Sequence, residues 1–204
     1  MESHSGSRNI WLFSEERSGS SWLSRELARR FSKQHVGVDE FEEHQEWVHH
    51  THEFEYLEKI TNPIVIRTTR KDQFQHFLSY SLFTYGKANG WRHPHISFPK
   101  SVDGFNQFLT LPKLSITEAD IEYWTDLKNI RNSLWDAYQG EKQTVYYEDL
   151  YEGVAIPALR ITKIGFSDGG EFKKLPYIKE DHIANIHDVK AWFDKYAYQN
   201  KDVQ

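Results

Sequence analysis

Three short apolar runs, each leading into a polar loop or a helix-length amphipathic stretch, limit this chain more than any other feature. They are NIWLF at Asn9–Phe13, IVIRT at Ile64–Thr68 and TVYY at Thr144–Tyr147. Runs of this length with turn signals around them read as buried strands. Between and beyond them lie stretches with helical periodicity. A helix is expected from Ser20 or Ser21, either of which can serve as its N-cap, with Trp22, Leu23, Leu27 and Phe31 in one stripe; from Asp72 to Tyr85, Phe74, Phe77, Leu78, Leu82 and Tyr85 share a side. The longest helix is expected over Thr117–Tyr138, capped by Thr117 with Asp120 three residues on and ended by Gly140. Strands alternating with helices of this length point to an α/β fold around a mostly parallel sheet.

The remaining segments are weaker. His35–Phe41 reads as a short strand, Glu42–Ile60 as a helix, Gly86–Pro99 as a long loop and Phe105–Leu109 as a short helical piece. Pro157–Ile164 reads as a helix ending at Gly165, and Glu180–Tyr196 carries the last helix. Residues 1–8 read as a disordered start without the apolar stretch of a signal peptide, and 9–204 as a single domain.

Composition removes several classes. Of the 204 residues none is Cys, which excludes thiolate zinc sites, disulfides and a Cys nucleophile and favours a cytoplasmic setting. No apolar run approaches a bilayer span, so no membrane span is expected. The net charge of −5 argues against a broad nucleic-acid surface. That charge is uneven: Asp39–Glu58 holds eight acids and no Lys or Arg, whereas Thr61–Lys100 holds six bases against Asp72 alone. Such blocks describe either two solvated faces or a local anion site in an acidic chain. His44, His49, His50 and His52 lie in the acidic block. Adjacent His49 and His50 point different ways on any regular element, and there is no H-E-x-x-H, so no metal is expected.

Two loop-to-helix junctions carry the chemistry. The first, SEERSGSSW, places Arg17, Ser18, Gly19, Ser20, Ser21 and Trp22 between a strand and a helix N-terminus. Backbone N–H groups and the helix dipole would converge there on an anion, with Arg17 adding a charged fork. An ordinary helix start has the same composition. An ATP-type G-x-x-x-x-G-K-[ST] loop is absent: the Lys and the first Gly are missing. The second junction, IVIRTTRKDQFQHFLSYS, puts Arg67, Arg70 and Lys71 at a strand's C-terminal end, the ligand-binding edge of an open α/β sheet, with Ser79 nine residues after Arg70. Pairing of these arginines with the acidic block, Arg67 above all, is the alternative.

Together these stretches resemble the PAPS-dependent sulfotransferases (PAPS is 3'-phosphoadenosine-5'-phosphosulfate), most nearly the bacterial trehalose 2-sulfotransferase-like branch. RSGSSWL at Arg17–Leu23 matches that family's 5'-phosphosulfate loop, and R-x-x-R-K-D-x(6)-S from Arg67 to Ser79 matches its 3'-phosphate motif. YYEDL at Tyr146–Leu150, PALRITKIGF from Pro157 and HIANIHDVKAWF at His182–Phe193 follow in the family's order, the last two as helices. The resemblance implies a P-loop-containing three-layer α/β/α sandwich and sulfuryl transfer from PAPS to a hydroxyl of a small acceptor, a carbohydrate or other metabolite, without a metal. Arg17 would be catalytic. The N–H groups of Ser18–Trp22 would cradle the 5'-phosphate and sulfuryl oxygens, and Arg70 and Ser79 would hold the 3'-phosphate.

Glu40, 21 residues after Gly19 and followed by Phe41, matches the branch's base, although Val38 stands where its Pro would be and Glu42 where an aromatic would be. Other sulfotransferases use His, which makes His44 the second candidate. Trp91, Arg92 and His93, with His95, would face the acceptor, or else Trp91 packs a structural loop; Lys173 and Lys174 would close over the donor. A nucleotide kinase and a non-catalytic adenine-nucleotide module are the competing readings.

Overall fold

A computed structural model describes residues 9–37, 41–44, 46–88, 112–167 and 179–199. These form two compact units, the first drawn from Met1–Lys71 and Ile130–Phe172, the second from Asp72–Asn129 and Lys173–Gln204.

The first unit is built on a five-stranded sheet, β1 (Ile10–Ser14), β2 (Gln34–Gly37), β3 (Trp47–Thr51), β4 (Ile64–Thr69) and β5 (Lys142–Tyr146), in the order β2-β3-β1-β4-β5. Every neighbouring pair is parallel. The expected α/β class with a parallel central sheet is observed. β1 is central and buried throughout, so it reads as a continuous apolar run rather than an alternation. Its side chains divide between two cores. Ile10 and Leu12 join Val48, Ile64, Ile66 and Val145 beneath Leu23 and Leu27 of α1 (Ser20–Phe31). Trp11 and Phe13 join Val65 on the other face, against Phe54 and Leu57 of a 3-10 turn (Phe54–Glu58) and Trp135. Trp135 lies on α3 (Glu118–Ala137). Helical segments therefore cover both faces, and each fully buried large side chain contributes about 1.5–3 kcal/mol.

The second unit packs α2 (Gln73–Ala88), the first part of α3 and α4 (Ile186–Gln199) around Phe77, Leu78, Leu82, Ile121, Trp124 and Val189. The Asn185 amide imitates a strand partner: it accepts from Ile116 N–H at 3.1 Å and donates to Ile116 C=O at 2.8 Å. The expected Thr117–Asp120 capping box is present, with Thr117 N–H donating to Asp120 Oδ2 at 2.7 Å and Asp120 N–H to Thr117 Oγ1 at 3.3 Å.

Three expected elements are corrected. Glu42–Ile60 is not a helix; it contains β3 and the 3-10 turn. β3 is an inner strand, and pairing on both sides outweighs its weak local pattern. Pro157–Ile164 is a short 3-10 turn followed by β7 (Ile161–Ile164), antiparallel to β6 (Val154–Ile156). Within β7 only the end residues Ile161 and Ile164 are buried, a three-residue spacing that mimics a helix face. The last helix starts at Ile186, after a 3-10 turn at Lys179–His182. Residues 1–8, Glu40, the segment 89–111 with Trp91, Arg92, His93, His95 and the expected Phe105–Leu109 helix, and Lys173 and Lys174 lie outside the described residues. No helix among the described residues is long and apolar enough to cross a membrane.

Candidate functional site

In the strand order β2-β3-β1-β4-β5 the chain leaves β1 toward β2 and β3, then returns past β1 to β4. The C-terminal end of β1 is thus the switch point where an open parallel sheet presents a crevice for ligands. All the described candidates of the first unit except His44 gather at that edge.

The loop Glu15–Gly19 leaves β1 there. Arg17 has φ +66° and Gly19 φ +80°, with no such positive value at Ser18 between them. This alternation turns successive N–H groups toward one side, an anion-accepting nest. Gly19 is the residue before α1, where no side chain caps the helix; the expected Ser20 or Ser21 cap is corrected, because Ser20 and Ser21 already lie in the first turn. Among the described residues nothing accepts from the N–H groups of Gly19, Ser20 and Ser21. The amide of Trp22 donates to Gly19 C=O at 3.1 Å, so the donor set is narrower than Ser18–Trp22. The Ser18 hydroxyl is also engaged, donating to Glu15 C=O at 2.6 Å and meeting Thr68 Oγ1 at 2.7 Å. Gly19 serves a second purpose: a Cβ there would come within 2.9 Å of Tyr147 Cδ2.

Two ion pairs hold the loop from behind. Glu15 is buried; it accepts from the Arg67 guanidinium and, at 2.9 Å, from Thr69 Oγ1, while Arg67 also donates to Asn132. Arg67 therefore pairs with the loop carboxylate of Glu15, and among the described residues with no acid of the acidic block. Glu16 accepts two hydrogen bonds from Arg131, at 2.6 and 2.9 Å. Burial would raise the Glu16 pKa, but the hydrogen bonds and charge of Arg131, with His52 nearby, outweigh it and hold the carboxyl below its ordinary range.

Arg70, one residue past β4, donates through Nε to Arg17 C=O at 2.7 Å and lies 4.1 Å above the Tyr147 ring. One edge and one face of its guanidinium are thereby fixed beside the loop. Lys71 pairs with Asp149 and is exposed. Ser79 is buried on α2 in the second unit.

The two candidate bases fare differently from the loop. Glu40 lies outside the described residues. His44 precedes β3, and in a parallel sheet that is the edge opposite the loop; there it meets Glu42 at 2.6 Å and lies tilted against the Trp47 ring, centres 3.9 Å apart. His44 therefore lies away from the loop edge that holds Arg17 and Arg70.

The same pairing carries two other histidines to the loop edge. His50 lies opposite Leu12, and His52 follows β3 directly. His52 Nδ1 is 2.7 Å from Ser14 C=O. A carbonyl only accepts, so Nδ1 carries a proton, and in the neutral ring the lone pair lies on Nε2. The hydrogen bonds of the His52 ring run through Nδ1. Ser14 Oγ is 2.9 Å from both His52 Nδ1 and His50 Nε2. Burial first, then the charges of His52, His35 and Arg25, push the His50 pKa down to about 3, so His50 is neutral beside the Ser14 hydroxyl, which also reaches Thr51 C=O at 3.3 Å. Reading this segment as a strand would have exposed the pair, because His50 and His52 at i, i+2 share a face. Among the described residues no group of three His, Cys, Asp or Glu side chains could hold a metal ion.

No family model matches the chain, and no curated protein or solved structure matches it either.

Proposed function

We propose that the chain transfers a sulfuryl group from PAPS to a hydroxyl of a small acceptor. The observation that carries this reading is the loop after β1, with three N–H groups at Gly19–Ser21 unengaged among the described residues, two positive-φ residues and Arg17, at the switch point of a parallel sheet. Such a loop suits tetrahedral oxyanions. The motif carries no Lys of the ATP-binding type, and Arg70 adds a second cation fixed beside it.

On this reading the N–H groups and Arg17 hold the 5'-phosphosulfate, and Arg70 meets the 3'-phosphate that distinguishes PAPS from other adenine nucleotides. The acceptor oxygen forms a bond to sulfur as the bond from sulfur to the 5'-phosphate oxygen breaks. Arg17 and the amides stabilise the charge growing on that leaving oxygen. The acceptor proton passes to a base. His52 Nε2 is the described lone pair best suited to receive it, because Ser14 C=O fixes the tautomer; Glu40 stands as the base that the resemblance implies. The roles of Ser79 in binding the 3'-phosphate and of Trp91, Arg92 and His93 at the acceptor rest on the resemblance alone.

Calorimetric titration with 3'-phosphoadenosine 5'-phosphate, adenosine 5'-phosphate and ATP–Mg²⁺ tests the reading. The 3'-phosphorylated compound should bind tightest, and Arg70→Ala should erase that preference. Tighter binding of ATP–Mg²⁺ would overturn it in favour of a kinase. Donor binding without turnover of PAPS across a panel of hydroxyl acceptors would favour the non-catalytic module.

A further inference from the structure

Arg131 lies on α3 within the first unit and is 9% exposed. Its guanidinium grips both oxygens of Glu16, the residue before Arg17. The same guanidinium reaches His52 C=O at 3.5 Å and lies 5.7 Å from the centre of the Phe54 ring. One rigid fork thus touches the anion loop and, on either side of Glu53, the segment that carries His52. A lysine has one nitrogen and cannot span the same contacts.

We propose that Arg131 is a positioning residue that couples the donor loop to the base-bearing segment, setting Arg17 through Glu16 and setting His52 through its backbone. The inference rests on the sulfuryl-transfer reading in that Arg17 and His52 are the groups being positioned. It explains why a loop suited to anions contains two consecutive carboxylates. Glu15 is neutralised by Arg67, and Glu16 is the tether by which Arg131 holds the turn. Loss of Arg131 takes from Glu16 the cation that grips both its oxygens, and it releases the carbonyl of His52 at the same time.

The test uses the full chain and two readouts. The affinity for 3'-phosphoadenosine 5'-phosphate is measured by calorimetry. The tautomer of His52 is read from its ring ¹⁵N shifts in the absence of ligand, a signal that a general loss of stability does not move while the chain stays folded. Arg131→Met should weaken binding about tenfold and turn the single Nδ1–H tautomer of His52 into a mixture. Glu16→Gln should weaken binding to a similar degree, and the double variant should bind no worse than the weaker single one. Arg131→Lys should recover part of the affinity but not the tautomer. Affinity within twofold of the parent together with an unchanged His52 tautomer in these variants overturns the coupling. If Arg131→Met does not fold, Arg131→Lys and Glu16→Gln decide by the same criteria. A parent chain that does not bind 3'-phosphoadenosine 5'-phosphate overturns the reading underneath and the coupling with it. Binding by the parent with unmoved variants overturns the coupling alone.

Discussion

Replacing Gly19 by Ala tests the loop geometry directly. Two costs add at this position. The backbone sits at φ +80°, where an L-residue with a Cβ loses roughly 1–2 kcal/mol. The new Cβ also lies 2.9 Å from Tyr147 Cδ2, so the ring must retreat by about half an ångström to reach ordinary contact. It cannot do so cheaply, because Tyr147 meets Tyr151 OH at 2.8 Å, packs on Phe166 and supports Arg70 from below. Crowding of this kind costs about 1–3 kcal/mol, which brings the total near 3 kcal/mol. For a chain of this length that corresponds to a fall in Tm of about 6–12 °C. Gly19→Asn separates the two terms: asparagine tolerates the left-handed region but keeps the Cβ, so it should fall less than alanine by about 1 kcal/mol. Scanning calorimetry of the three proteins, with titration of 3'-phosphoadenosine 5'-phosphate, gives both readouts. A Gly19→Ala protein that melts within about 2 °C of the parent and binds the nucleotide equally well would refute the account of this turn.

Three further predictions follow from buried charges and caps. Arg67→Met leaves Glu15 buried without its cation, so denaturant unfolding should show a loss of about 3–5 kcal/mol, mostly recovered by adding Glu15→Gln. Lys142 Nζ donates to Trp135 C=O at 2.5 Å and Tyr138 C=O at 2.7 Å, closing the end of α3; Lys142→Met should cost about 1–2 kcal/mol in the same assay. The imidazole of His50 has a folded pKa of about 3 against an ordinary 6.5, so below 6.5 the unfolded chain binds a proton that the folded chain refuses. Its contribution is complete above that value and is lost at about 1.4 kcal/mol per pH unit as acidity increases toward the folded pKa. His50→Gln should flatten the stability profile between those limits; an unchanged slope would show that His50 is protonated in the folded state.

The sequence made β1 and β4 legible because both are dense apolar runs between turn signals, and it made α1 legible through its apolar stripe and α3 through its capping box and stripe. β3 was hidden. WVHHT looks polar until Trp11 is placed beside it: the His49 ring stacks on the Trp11 ring at 4.2 Å and 8°, which makes a buried histidine acceptable only in a partner's presence. β7 was hidden by its Ile161 and Ile164 spacing. At the site, Arg17, Gly19 and Arg70 were legible because short loops between strands and helices are local. His52, Glu16 and Arg131 were not, because parallel pairing and a helix more than a hundred residues further along bring them together.

The stacking of His49 on Trp11 carries a consequence for strand register. Side chains alternate faces along a strand, so a slip of one residue between β3 and β1 would exchange every one of them. In most strands hydrophobicity forbids this, but in β3 Val48 alone joins the apolar core beneath α1, and His49 beside His50 offers no contrast in polarity. The indole of Trp11 supplies the missing discrimination, since only one of the two rings can lie flat on it at 4.2 Å. A histidine on the opposite face of β3 from the candidate chemistry therefore determines which of its neighbours reaches Ser14. Replacing His49 should loosen the register of β3 and, with it, the placement of His50 and His52 beside Ser14.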